Sequence, residues 1–140
     1  MATLSIRFKR DSTYQRLKRL AAGSTESASA AAERLIEEGL RMASHPHVVF
    51  RDGPTGRRAG LAAGPDVAEV VALLREVPGR LERRASAVAR QLTLTEPQVR
   101  AASRYYAEFT AEIDDEIATN AEAGDRELAA WEMERRLLSG

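Results

Sequence analysis

The chain opens on a strict two-residue alternation: in "TLSIRFK", Leu4, Ile6 and Phe8 fall on one side of an extended strand and Thr3, Ser5, Arg7 and Lys9 on the other. Helical periodicity then takes over. A first helix is predicted over residues 12–22, with Asp11 as its N-cap, Tyr14, Leu17, Leu20 and Ala21 on its apolar side and Gly23 as its stop. A second starts near Ser24, Thr25 or Ser27 and runs to about Met42, with Ala28, Ala32, Leu35, Ile36 and Leu40 expected inside. No further strand occurs in the first 43 residues. An unpaired strand with an apolar face is not stable in water. The expected partner is the same strand of a second copy, which makes residues 1–43 an intertwined homodimer and a first domain.

Beyond Met42 the pattern changes. "SHPHVVFRDGPTGRRAGL" predicts a β-hairpin, with Val48, Val49 and Phe50 in one strand, "RDGPTGRR" as the loop and a return strand ending at Leu61. A core helix capped by Asp66 follows, with Val67, Val70, Val71, Leu73 and Leu74 apolar. Past a break at Pro78 and Gly79, Ala85, Val88, Ala89 and Leu92 mark one helix, and Val99, Ala102, Tyr105, Tyr106 and Phe109 mark another. Thr95 with Gln98 reads as the capping box that opens it. Short helix, tight turn and longer helix suggest a helix-turn-helix, so residues 46–120 form the expected second domain. A break at Gly124 and Asp125 sets off a short helical tail, residues 121–140, with Leu128, Trp131, Met133, Leu137 and Leu138. The fold class is thus mainly α with short β.

Composition narrows the function. At 140 residues, 30% charged and 44% apolar, the chain reads as a soluble folded protein of one ordinary or two small domains. It has no cysteine, which removes disulfides and thiolate metal sites. No apolar run approaches the roughly 18 residues of a membrane span, and the polar, basic opening does not suit a signal peptide, so no membrane partner and a cytoplasmic location are expected. The net charge of zero hides an uneven distribution. Residues 1–22 carry Arg7, Lys9, Arg10, Arg16, Lys18 and Arg19 against Asp11 alone, whereas residues 108–127 carry eight acids against Arg126. The first end favours polyanions, the second cationic partners.

Candidate chemistry is binding rather than catalysis. A two-stranded ribbon fits the DNA major groove, where Thr3, Ser5, Arg7 and Lys9 can meet base edges. The hydroxyls of Ser24, Thr25 and Ser27 at a helix N-terminus would meet backbone phosphate. In the tail, a tryptophan beside Met133, Arg135, Arg136 and Leu137 is the composition of an interface anchor. His45 and His47 lack further ligands, no serine has a placed His-Asp pair, and no glycine-rich phosphate loop follows a strand. Neither enzymatic activity, a metal nor a cofactor is expected.

The opening strand with "YQRLKRLA", "GSTES" and "RLIEEGLR" resembles the ribbon-helix-helix DNA-binding family over about residues 2–42. That family includes the antitoxins of many toxin–antitoxin pairs, and the resemblance implies an interlocked dimer in which Ser5 and Arg7, with Thr3 or Lys9, read bases. "VRAASRYYAEFTAEID" is similar to a motif of small helix-turn-helix domains in a second antitoxin group, covering roughly residues 46–118. If that helix also reached DNA, Gln98, Arg100 and Arg104 would be the outward residues. Together these resemblances imply an antitoxin that represses its own operon by binding double-stranded operator DNA. It would neutralise a PIN-like ribonuclease toxin through Trp131, Met133, Arg135, Arg136 and Leu137, as a homodimer or a higher oligomer with the toxin. The alternative is a stand-alone transcription regulator whose second domain senses a ligand or oligomerises.

Overall fold

The computed structural model describes residues 1–140. The protein is mainly helical, with six helices and one two-stranded antiparallel sheet. It divides into two compact units, Met1–Ser44 and His45–Gly140.

The first unit is a helical hairpin behind an opening segment. Helix α1 spans Asp11–Ala22 and α2 spans Ala28–Ser44. Asp11 is the first helical residue rather than the cap: Arg10 takes the N-cap position, and no side chain caps the helix. The Asp11 charge still lies in the first turn, where it opposes the helix dipole favourably. Gly23 ends α1 at φ −83°, so it stops the helix without using the left-handed region. The second helix starts at the late end of the expected range, because the Ser27 hydroxyl accepts the Ala30 amide at 3.1 Å. Residues 1–8 form no ladder. A strand needs a hydrogen-bonded neighbour, and the only sheet in the chain is the later hairpin. The expected core of α2 is likewise uncovered in the single chain. Ala31 is its one buried apolar residue, whereas Leu35, Ile36 and Leu40 are exposed.

The second unit closes around its own core. Strands β1, Val48–Gly53, and β2, Gly56–Leu61, pair with Val48 opposite Leu61 and Gly53 opposite Gly56. The predicted eight-residue loop is therefore mostly strand, and only Pro54 and Thr55 lie between the ladders. Gly56 sits at φ +125°, which side chains on L-residues rarely tolerate. Helices α3, Val67–Glu76, α4, Leu81–Leu92, and α5, Glu96–Glu108, pack with the hairpin around Leu61, Val67, Val70, Val88, Val99 and Tyr105. The capping box at Thr95 and Gln98 forms in both directions. Thr93 ends α4 in the left-handed region at φ 57°, which lets the Leu94 amide reach the Ala89 carbonyl at 2.7 Å.

Helix α6 departs from expectation. It runs unbroken from Thr110 to Ser139, through Gly124 and Asp125, so residues 121–140 continue the acidic helix and are not a separate tail. A glycine costs about 1 kcal/mol in a helix, which Ala, Glu, Arg and Leu neighbours outweigh here. Its first turns are anchored: Ile113 is buried and Ile117 packs against the core. Every residue from Asn120 onward is exposed. No helix of the chain is long and apolar enough to cross a membrane.

Candidate nucleic-acid and partner interfaces

The first unit carries an apolar face with nothing on it. Relative exposure is 79% at Leu4, 54% at Ile6 and 37% at Phe8. Ile6 and Phe8 join Leu17, Leu20, Leu35 and Ile36 around an open apolar groove of about 350 Å³. A second, larger concavity of about 1010 Å³ runs from Met1, Leu4 and Ile6 to Ala30, Glu33 and Glu37 of α2. Thr3 lines this second concavity too, so the opening segment in the single chain does not divide cleanly into two faces. Phe8 lies 5.5 Å from the Tyr14 ring, and the Lys18 ammonium sits 5.5 Å from that ring's centroid. Thr3, Ser5, Arg7 and Lys9 are all exposed.

The turn between α1 and α2 is built by its own polar groups. The Ser24 hydroxyl donates to the Ala21 carbonyl and accepts the Glu26 amide, both at 3.1 Å. The Ser27 hydroxyl is the helix cap. Two of the three hydroxyls expected to meet phosphate are therefore occupied in shaping the turn. Thr25 is exposed at its tip. Glu26 is gripped by Arg34 at 3.0 Å, and Arg34 also reaches the largely buried Glu38 at 3.3 Å. Those contacts raise the Arg34 pKa, the Glu26 hydrogen bond being the main cause. The carboxylate at the tip of the turn is thereby partly neutralised.

The predicted tail residues do not form one face. Trp131 and Arg135 are one turn apart, and the guanidinium lies 4.7 Å from the indole centroid. Met133 and Leu137 share the opposite side, and Arg136 lies between the two. The indole side carries Leu128 and Leu138 as well, at helical spacing from Trp131. The same side continues back along α6 to Ile117 and Ile113, which pack on the core.

A polar cluster in the second unit was also unexpected. Asp66 does not cap α3 with its side chain. Its carboxylate receives Arg51 at 3.0 Å on one oxygen and Arg58 at 2.8 Å on the other. Arg51 further donates to the Gly64 carbonyl at 2.8 Å, and its guanidinium crosses Gly60, where a Cβ would stand 2.2 Å from it. Arg58 Nε faces Glu116 Oε1 of α6 at 3.7 Å, with neither atom hydrogen-bonded. The Asp66 hydrogen bond raises the Arg58 pKa, and desolvation pushes the Glu116 carboxyl up. Nearby, Arg75 binds both Tyr106, at 2.7 Å, and Asp114. These bonds from Arg75 and Tyr106 hold Asp114 below the usual carboxylate range.

His45 Nε2 contacts Glu108 at 2.7 Å, and the ring stands edge-on to Tyr105, 5.2 Å away. His47 does not join it, and no group of three or more His, Asp or Glu side chains gathers as a metal site. Among the outward candidates on α5, Gln98 is committed to the capping box, and Arg100 and Arg104 are exposed. Comparison of the chain with protein-family profiles, curated proteins and solved structures finds no match.

Proposed function

We propose that the protein is a ribbon-helix-helix antitoxin that represses its own operon and holds a ribonuclease toxin through α6. The observation that carries this reading is the uncovered apolar face of the first unit: Leu4, Ile6 and Phe8 with Leu17, Leu35 and Ile36. A contiguous apolar surface of this kind marks an interaction site. A second copy would cover it by pairing the two opening strands across a twofold axis. The paired ribbon would turn Ser5 and Arg7, flanked by Thr3 and Lys9, toward base edges. The basic excess of residues 1–22 supplies the attraction to phosphate. Thr25 and the first amides of α2 take the backbone. The exposed end of α6, centred on Trp131 and Arg135, takes the toxin.

The test uses the DNA upstream of the gene and the product of the adjacent reading frame. Arg7→Ala should weaken operator binding by about 1–3 kcal/mol per lost base contact, with folding and dimerisation intact. Equal operator affinity for mutant and wild type at matched salt would exclude the ribbon as the reader. Removing residues 125–140 cuts α6 beyond Ile117, the last α6 residue on the core. The shortened chain should still shift operator DNA but fail to neutralise the toxin in cells. Full neutralisation by it would move the toxin site elsewhere.

A further inference from the structure

One face of α6 leaves the core and continues unpartnered. Ile113 and Ile117 pack inward. From Ile117 the same side presents Ala121, Gly124, Leu128, Trp131, Arg135 and Leu138, at alternating spacings of four and three residues. That is a heptad seam, with Ala121, Leu128 and Arg135 at a, and Ile117, Gly124, Trp131 and Leu138 at d. The residues flanking the seam are Asp125 and Glu132 on one side and Glu127 and Glu134 on the other, all exposed. The basic residues Arg126 and Arg136 lie off it. Arg135 stands in the seam with its charge laid on the indole.

We infer that this seam docks an amphipathic helix of a partner protein whose flanking positions are basic, forming a short two-stranded coiled coil over roughly 27 Å from Ala121 to Leu138. Charge selects that occupant. A second copy laid parallel would set Glu127 against Glu132. Laid antiparallel about the midpoint of Leu128 and Trp131, it would set Glu127 against Glu134 and Asp125 against Glu132. Like charges at these positions oppose pairing. Nucleic acid and anionic lipid are repelled by the same four carboxylates. Small Ala121 and Gly124 admit bulky side chains at one end, while Leu128, Trp131 and Leu138 supply bulk at the other. This deepens the reading of α6 as the partner-holding element and names the chemistry of the partner; it does not depend on DNA binding by the first unit.

The chain has one tryptophan, so its emission reports this seam alone. The probe is a synthetic three-heptad helical peptide with Leu at a and d and Lys at e and g, added to the full-length protein. A matched peptide carries Glu at e and g. The Lys peptide should shift Trp131 emission to the blue and saturate, binding about tenfold or more tighter than the Glu peptide, with a preference that salt weakens. Replacing Glu127, Glu132 and Glu134 together by Lys should invert the preference, whereas Glu122→Lys, off the seam, should leave it in place. Three results would each overturn the proposal: unchanged emission with the Lys peptide, a preference that survives the triple reversal, or a blue shift produced by anionic vesicles and not by the peptide. A Leu128→Ala variant that loses self-association would also overturn it, since the seam would then be filled by a second copy. If the peptide preference inverts as expected while truncation at residue 125 leaves toxin neutralisation intact, the seam stands and only the toxin assignment falls.

Discussion

Glu116 shows how a residue's surroundings decide its worth. It sits beside Arg58, but it also faces Asp66, Glu69 and Glu112, and burial is the largest influence on it. The net effect is a carboxyl whose pKa lies above its ordinary 4.5. A group with a raised folded pKa binds its proton more tightly in the native state than in the unfolded chain. Stability therefore falls as pH rises from about the unfolded pKa through the raised one. Glu116→Gln should flatten that slope, raising the urea midpoint at neutral pH and changing it little near pH 4. A mutant less stable than wild type at neutral pH would mean that the Arg58 attraction dominates. None of this was legible in "RDGPTGRR", because the partners of Arg51 and Arg58 lie at Asp66 and Glu116. Local pattern marks Asp66 as a cap before a valine-rich helix; it carries no trace of arginines arriving from a hairpin. The capping box at Thr95 and Gln98 was legible because both halves lie within one turn.

Among the elements, α6 illustrates the opposite difficulty. Gly124 followed by Asp125 has the signature of a helix stop, yet the helix passes through, and a Cβ at Gly124 would meet nothing within 4 Å. With open space and helical φ, Gly124→Ala should stabilise α6 locally by about 1 kcal/mol. Amide exchange near residues 120–128 should slow by about fivefold, as that free energy implies. Unchanged or faster exchange would mean that the helix is already interrupted there in solution. The amphipathic faces of α3, α4 and α5 were predictable, since each buries a stripe at helical spacing within its own unit. The faces of α1 and α2 had the same periodicity, but of their apolar residues the two helices bury only Ala21 and Ala31 and leave Leu20, Leu35, Ile36 and Leu40 exposed. Periodicity identifies the apolar side of a helix and is silent on whether the cover comes from the same chain.

For the whole molecule, zero net charge conceals an uneven distribution. Residues 1–22 carry six basic residues against one acid, and α6 carries nine acids against three arginines. In the proposed function the first belongs to a ribbon that reads DNA and the second to a helix that holds a partner. The ribbon rests on the first unit being half of a dimer. Sedimentation equilibrium of the full chain, wild type and Phe8→Asp, addresses this most directly. Phe8 lines the apolar groove, and a carboxylate there would be buried by both copies at a cost of several kcal/mol. The wild type should sediment at twice the chain mass. The mutant should be monomeric or should lose the structure of its first unit, while the self-contained core of His45–Gly140 stays folded by circular dichroism. A wild-type chain that sediments as a well-folded monomer, or a mutant dimer as tight as the wild type, would contradict the pairing of the opening strands and with it the ribbon.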